Sequence, residues 1–291
     1  MSDETSANAD TEILAAARPS LATTGGPLII ISSPYARRGE VWEVYRKHFG
    51  SNGDPLILVA QAASRDMNPS LPDRVVQRAI ERDPAAAKAE YFGQFRTDLE
   101  AFIAREVVDA AVIPDRHELP PISSIQYTAF VDPSGGSADS MTIAIAHLEN
   151  QIRVLDAVRE RKPPFSPENV VEEFASLLKT YRVHSVMGDR YAGEWPRERF
   201  RVHGIEYEIS EKPKSIIYGD FLPAINSGTV ELLDHKRLVS QLCGLERRTA
   251  RGGRDSIDHM AGAHDDVANA VAGALVALSK KGFVYGMLDV L

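Results

Sequence analysis

Two continuous apolar runs, at residues 27–32 and 55–60, open the patterned part of the chain. Runs built from Leu, Ile and Val without alternation read as strands covered on both faces of a parallel sheet. Between them Val41, Val44 and Tyr45 recur at helical spacing over 39–48, so strand and helix alternate and residues 26–115 read as an α/β segment. The break at 68–72, rich in Pro and polar residues, precedes helices expected at 73–82 and 84–104. Residues 1–25 are polar, Ala-rich and without a period, the pattern of a poorly ordered lead-in. Two or three strands are too few to close a sheet, which suggests that an α/β domain lacks its beginning.

A polar stretch with two prolines, 116–124, has the composition of an interdomain linker, and a second α/β domain is expected over 125–291. It begins with strands at 126–131, 141–146 and 151–156, the last two joined as a hairpin through Glu149 and Asn150. Ser166 and Pro167 start a helix whose apolar stripe is Val170, Val171, Phe174, Leu177 and Leu178. Strands at 184–188, 205–208 and 229–232 then alternate with helices near 195–203, 215–226 and 234–244. From Val267 to Leu278 nearly every residue is Ala, Val, Leu or Gly, which predicts a helix buried on most sides. The fold class is therefore α/β, with a mixed sheet flanked by helices.

Composition narrows the chemistry. Hydrophobic residues make up 44% and charged residues 25%, ordinary for a soluble globular chain, and no apolar run is long enough to span a bilayer. A formal net charge of -8 excludes coating of nucleic acid by bulk attraction, so phosphate contacts must come from local basic patches. Cys243 stands alone, which excludes an internal disulfide framework and a cysteine-based zinc site. No secretory signal opens the chain, and cytoplasm is its expected location.

Three acids fall at the ends of apolar elements. Asp132 follows the first strand of the second domain, Asp189 the fourth, and Asp266 opens the final buried helix. In a mixed sheet the first and fourth strands can lie side by side, which brings all three together. Singly, each reads as a turn or cap residue. Asp265 in particular is placed to cap the helix through its side chain. Jointly, clustered carboxylates repel unless cations sit between them, and oxygen ligands favour Mg²⁺ or Mn²⁺. Two such ions roughly 4 Å apart can drive in-line phosphodiester cleavage.

The motifs that carry these acids resemble those of one family. Asp132-Pro133-Ser134-Gly135-Gly136, Gly188-Asp189-Arg190, and the stretch from Arg254-Asp255-Ser256-Ile257-Asp258-His259 to Gly262-Ala263-His264-Asp265-Asp266 are similar to the nuclease domain of the large terminase subunit of tailed phages. Upstream, Ile29-Ile30-Ile31-Ser32-Ser33-Pro34 and Glu90-Tyr91-Phe92-Gly93-Gln94-Phe95 resemble the end of that family's ATPase domain and the run before its interdomain linker. The resemblance implies a ribonuclease H-like fold over 125–291 and a partial ATPase-like segment over 26–115. It implies an endonuclease that cuts concatemeric double-stranded viral DNA with two Mg²⁺ or Mn²⁺ ions, with Asp132, Asp189 and Asp266 as catalytic ligands and Asp265 as a further metal ligand. It also implies a portal protein and a small terminase subunit as partners, in the cytoplasm of a bacterial host.

Two departures qualify it. No G-x-x-x-x-G-K-[ST] phosphate loop is present, so no ATPase activity is expected from this chain and a separate ATPase half becomes a candidate partner. The acid often found one helical turn after Asp266 is here Asn269, which puts a fourth, auxiliary ligand in doubt. Arg247, Arg248, Arg251 and Arg254 read as a basic loop suited to a DNA backbone, against the plainer reading of a solvated face, with Lys214 and Lys212 as weaker candidates. His264 can orient an acid or water or make a structural bond, and Trp195 and Tyr191 read first as core residues. Two alternatives stay open: a non-catalytic fragment that binds DNA or the portal, and a resolvase-type nuclease with the same acid layout.

Overall fold

The computed structural model describes residues 9–50, 54–137, 139–189, 195–249, 255–260 and 263–278. The chain divides into two compact units, Met1–Glu100 with Glu246–Ser256, and Ala101–Leu245 with Ile257–Leu291. Its helices and strands run in the order α1 (Ala9–Ala22), α2 (Gly39–His48), α3 (Ser64–Met67), α4 (Asp73–Arg82), α5 (Pro84–Phe92), β1 (Leu99–Ala101), α6 (Arg105–Ala111), β2 (Tyr127–Asp132), β3 (Met141–Glu149) and β4 (Ile152–Arg161). They continue with α7 (Pro167–Thr180), β5 (Ser185–Gly188), α8 (Trp195–Val202), β6 (Glu206–Ile209), α9 (Lys214–Asn226), β7 (Val230–Glu231), α10 (Lys236–Cys243), β8 (Leu245–Thr249), β9 (Asp255–His259) and α11 (Asp266–Ala277).

In the first unit the helices expected at 39–48 and 73–82 form with those bounds. Three expectations for this part of the chain change. The lead-in contains α1, whose Ala-rich sequence has the propensity to form a helix. The helix expected over 84–104 stops at Phe92, with Gly93 in the left-handed region beyond it. The runs at 27–32 and 55–60 are extended but form no strand among the described residues. Ile31, Leu56 and Leu58 stand 94%, 92% and 92% exposed, so the sequence pattern of a doubly covered strand is met by no covering layers. A strand exists only where a neighbour completes its hydrogen bonds, and apolar patterning alone does not supply one. What holds the unit is local. Trp42, Tyr45, Phe49 and Phe95 pack as an aromatic group, with Trp42 and Phe95 edge to face at 4.9 Å. Glu246, wholly buried, accepts from Arg38 Nη2 at 2.6 Å and Tyr35 Oη at 3.1 Å.

The second unit is organised by a six-stranded sheet of order β6-β5-β2-β3-β4-β7. β2, β3 and β4 pair antiparallel in sequence order, whereas β2 pairs parallel with β5, β5 with β6, and β4 with β7. The first and fourth strands of this unit's sheet thus lie side by side, as the sequence allows. Because strand side chains alternate, successive residues sort into two layers. Ala129, Val131, Ile143 and Ile145 face Val170, Val171, Phe174 and Leu178 of α7. Phe130, Ala144, Ala146 and Leu155 face the other way, toward α9 and the small residues of α11. α11 is buried along nearly its whole length and packs flat because Gly273 lies over the Phe130 ring, where a Cβ would collide. A mixed sheet with helices on both faces in this order is a ribonuclease H-like fold.

Residues 116–124 do not behave as a free linker, and the unit boundary falls at Glu100 and Ala101 instead. The Leu119 amide donates to the Asp156 carbonyl at 2.9 Å, Tyr181 Oη to the Leu119 carbonyl at 2.6 Å, and Arg116 to Glu231 at 2.7 Å. Upstream of it, Val108 of α6 is fully buried in the same core, and Val112 bridges to Leu232. Pro and polar composition marked the stretch as a linker, but its backbone groups found partners along the sheet.

Candidate active site

The site forms where β2, β5 and α11 end together. β2 carries apolar residues up to Val131 and releases Asp132 at its C-terminal end, ahead of Pro133. β5 ends in Gly188, and the Asp189 amide donates to the Val131 carbonyl at 3.3 Å, continuing the parallel pairing one residue past the strand. Gly188 is required by close approach: a Cβ there would run into the Tyr207 ring. Tyr207 Oη in turn donates to the Asp189 carbonyl at 2.9 Å, which fixes the turn carrying the acid. Thr142 Oγ1 donates to the Asp266 carbonyl at 2.7 Å and ties the first turn of α11 to β3.

A single amide gathers two of the acids. Asn269 Nδ2, one turn into α11 and 1% exposed, donates to Asp132 Oδ2 at 2.9 Å and to Asp189 Oδ2 at 3.0 Å. Asp266 lines the same cleft, together with Asp139, Ser140, Lys214, His259, His264 and Asp265. The three acids expected from the sequence therefore face one cleft, of about 230 Å³. Burial drives the Asp132 carboxyl well above its usual range, with Asp266 and Asp189 adding to the rise and the Asn269 bond opposing it. Burial likewise pushes Asp266 up to about 6, with Asp265 and Asp139 adding and His264 opposing. Asp266 Oδ2 is buried without a hydrogen-bond partner among the described residues.

Asp265 takes a different part from the one its position suggests. It sits at the N-cap of α11 but makes no side-chain cap bond. Its Oδ2 accepts instead from Tyr218 Oη at 2.8 Å and lies 3.0 Å from Lys214 Nζ. A capping carboxylate turns back to its own helix amides, and here α9 supplies stronger donors from outside. Lys214, expected at the DNA surface, is turned inward onto Asp258 at 2.8 Å and Asp265, and is 29% exposed. Burial opposes its charge, but Asp265 and Asp258 outweigh it and raise the ammonium above its usual range. Lys212 pairs with Asp220.

Of the arginines expected to form a basic loop, Arg247 and Arg248 lie on β8, a strand missed because its charged residues obscure the alternation. Arg248 Nη2 is 3.9 Å from Glu246. Arg251 and Arg254 lie outside the described residues, as does Tyr191. Trp195 packs against the α7 core, in keeping with its core reading.

Two groupings went unmarked as ligand sets in the sequence. Asp139, His264 and Asp266 place ligand atoms within 4.8 Å of one another, and so do Asp258, His259 and Asp265. The first adds a loop acid seven positions past Asp132, and the second adds the end of β9. No spacing rule reveals either, since each joins separate elements, although Asp258 and His259 fall within the motif stretch noted above.

No protein-family model matches the sequence, and no sequence among the curated proteins matches it. Solved structures do. The large terminase nuclease from thermophilic phage G20c superposes with a TM-score of 0.52 at 15% identity, over 60% of this chain and 96% of that one. The same nuclease with bound magnesium gives 0.51 at 15% identity, over 58% of this chain and 94% of that one. The chain has the large terminase nuclease fold. At such identity the likeness is one of fold, and the terminase nuclease fold places the ends of β2 and β5 and the start of α11 around one cleft. The HK97 bacteriophage large terminase aligns with a TM-score of 0.50 at 13% identity over 91% of this chain, which spans 60% of that protein. No helix among the described residues is long and apolar enough to cross a membrane.

Proposed function

We propose that this chain is the divalent-cation-dependent endonuclease of a phage packaging terminase, cutting concatemeric double-stranded DNA. The observation that carries the reading is the convergence of Asp132, Asp189 and Asp266 at one end of a terminase nuclease fold. The donors fit a hard divalent ion. The three are carboxylates, Asp266 Oδ2 is a buried acceptor awaiting a partner, and Asp132 is crowded by like charges that a cation would offset. The G20c nuclease has been solved with magnesium and with cobalt, which supports divalent-metal use here.

Asp132, Asp189 and Asp266 would hold the ion. Bound there, a divalent cation makes a hydroxide from water near neutral pH and offsets charge on a phosphodiester. The chain's own residues set the geometry. Asn269 keeps Asp132 and Asp189 aimed into the cleft, Tyr207 holds the Asp189 turn, and Thr142 holds the entrance of α11. The cleft also presents His264 Nδ1, 3.5 Å from Asp139 Oδ1 and suited to orienting a water. Double-stranded DNA is the substrate in this reading, and a portal protein, a small terminase subunit and a separate ATPase half in the bacterial cytoplasm are the partners. The alignment of HK97 large terminase beyond the nuclease unit favours this over a stand-alone resolvase.

Supercoiled plasmid incubated with the chain and Mn²⁺ or Mg²⁺, without ATP, should be nicked or linearised. Asp132→Asn should abolish the cutting. No cutting with either metal would favour the non-catalytic DNA- or portal-binding reading, and cutting undiminished in Asp132→Asn would place the chemistry elsewhere.

A further inference from the structure

We propose that Lys214 is a built-in second cation, so that the chain takes one divalent ion at Asp132, Asp189 and Asp266 and its own ammonium stands beside Asp265 and Asp258. The inference rests on the metal-dependent nuclease reading and corrects the expectation of two ions.

Asp258, His259 and Asp265 offer two oxygens and a nitrogen within 4.8 Å of one another, a donor set able to take a divalent ion. Lys214 Nζ lies among these donors, 2.8 Å from Asp258 Oδ1 and 3.0 Å from Asp265 Oδ2. It is not a long surface chain that happens to reach in. Lys214 is the first residue of α9, and the neighbouring positions of that helix are anchored to the same segment. Ser215 Oγ accepts from the Ile257 amide at 2.9 Å, and Tyr218 Oη donates to Asp265 Oδ2 at 2.8 Å. Three contacts from the first turns of α9 thus fix the ammonium's root against the strand and loop that carry the acids. Tyr218 is fully buried, so the helix cannot slide to withdraw the lysine without opening the core.

Charge accounting leads to the same place. Asp258 and Asp265 bring two negative charges next to Asp266, and an unpaired pair of carboxylates at that burial would be costly. The ammonium pairs with both at once. Burial works against the Asp258 anion, yet Lys214 holds its carboxyl below the usual range. A divalent ion entering this set would have to expel a lysine already making charge-assisted bonds to two carboxylates, whereas no lysine or arginine bonds Asp132, Asp189 or Asp266 among the described residues. The two halves of the cleft therefore differ in kind: one has acids gathered by a neutral amide, the other acids already paired with a cation.

The test counts ions. Mn²⁺ titrated into the full chain, followed by calorimetry and by the loss of the free-ion paramagnetic resonance signal, should give one site per chain in the wild type. Lys214→Met should give two, the new one at Asp258, His259 and Asp265, and Lys214→Arg, which keeps the charge, should give one. In the wild-type background Asp132→Asn should remove the site and Asp258→Asn should leave it. Two ions in the wild type would overturn the inference while leaving the nuclease reading intact, and so would a single ion in a folded Lys214→Met. No Mn²⁺ site in any variant would overturn the metal-dependent reading and this inference with it. Should Lys214→Met fail to fold, the wild-type count and its response to Asp132→Asn and Asp258→Asn still decide the matter.

Discussion

Replacing Asn269 with Ala removes the one neutral group that holds two acids of the cleft together. Its Nδ2 donates to Asp132 at 2.9 Å and to Asp189 at 3.0 Å from a position that is 1% exposed. A hydrogen bond to a charged partner contributes about 1.5–3 kcal/mol net, and two of them about 3 kcal/mol at the lower end, the end appropriate to acids that border a cleft open to water. The loss also frees Asp132 to rise further, since the Asn269 bond is what opposes its upward shift. In a unit of this size about 3 kcal/mol corresponds to a fall in melting temperature of about 6–12 °C. The assay is a thermal melt of wild type and Asn269→Ala, first in chelator and then in saturating Mn²⁺. With metal bound, the ion takes over the work of pairing Asp132 and Asp189, so the gap should shrink to about 1 kcal/mol. Equal melting in chelator would refute the bridging role. An equal deficit with and without metal would mean that the ion does not sit between these acids.

Further outcomes follow from the same geometry. Asp266→Asn should end cleavage yet leave the metal-free fold at least as stable as wild type, because it removes a buried, crowded charge; chelator melts beside plasmid nicking check both, and a large loss of stability would contradict it. Asp265→Ala, by contrast, should destabilise by breaking the Tyr218 and Lys214 bonds, not by uncapping α11, and Tyr218→Phe should reproduce part of the loss in the same melts. In chelator, stability should fall as pH rises from about 4 to about 6. The folded Asp266 carboxyl, raised from 3.8 to about 6, binds more protons than the unfolded one over that window, which is worth up to about 3 kcal/mol. Asp266→Asn should flatten that slope in pH-dependent denaturant titrations. If Arg247 and Arg248 contact a DNA backbone, their double Ala variant should flatten the salt dependence of binding by about one unit of slope per lost contact, measured in chelator so that cutting plays no part.

The second unit was legible because its signals are local and redundant. Period-two alternation and a continuous small-residue helix placed β2 to β5 and α11 close to their observed bounds, and acids at element ends needed only the parallel β2–β5 pairing to meet. The first unit was harder to read because its apolar runs carry the pattern of strands without the partners that make strands. Leu28 to Ile31 and Leu56 to Leu58 have the composition of a sheet interior, yet their exposure shows that composition states a preference and pairing decides the outcome. The linker at 116–124 failed for the opposite reason: a sequence with no pattern of its own was captured by hydrogen bonds from Asp156 and Tyr181, residues remote in the chain.

The same reasoning explains why the roles of adjacent acids were misassigned at Asp265 but not at Asp266. Whether a carboxylate caps its own helix depends on what else is within reach, and nothing in 262–274 announces that Tyr218 and Lys214, most of a domain upstream, will arrive there. Once α9 docks, a tyrosine hydroxyl and an ammonium outcompete the α11 amides for Asp265, because a charge-assisted bond in a partly buried setting is about twice as strong as a neutral one. Asp266 escapes this capture because its backbone is held by Thr142 while its side chain points where no donor of the chain was found among the described residues. A carboxylate left wanting inside a cleft, beside one that the fold has already neutralised, is the arrangement expected of a site that supplies one cation itself and waits for the other.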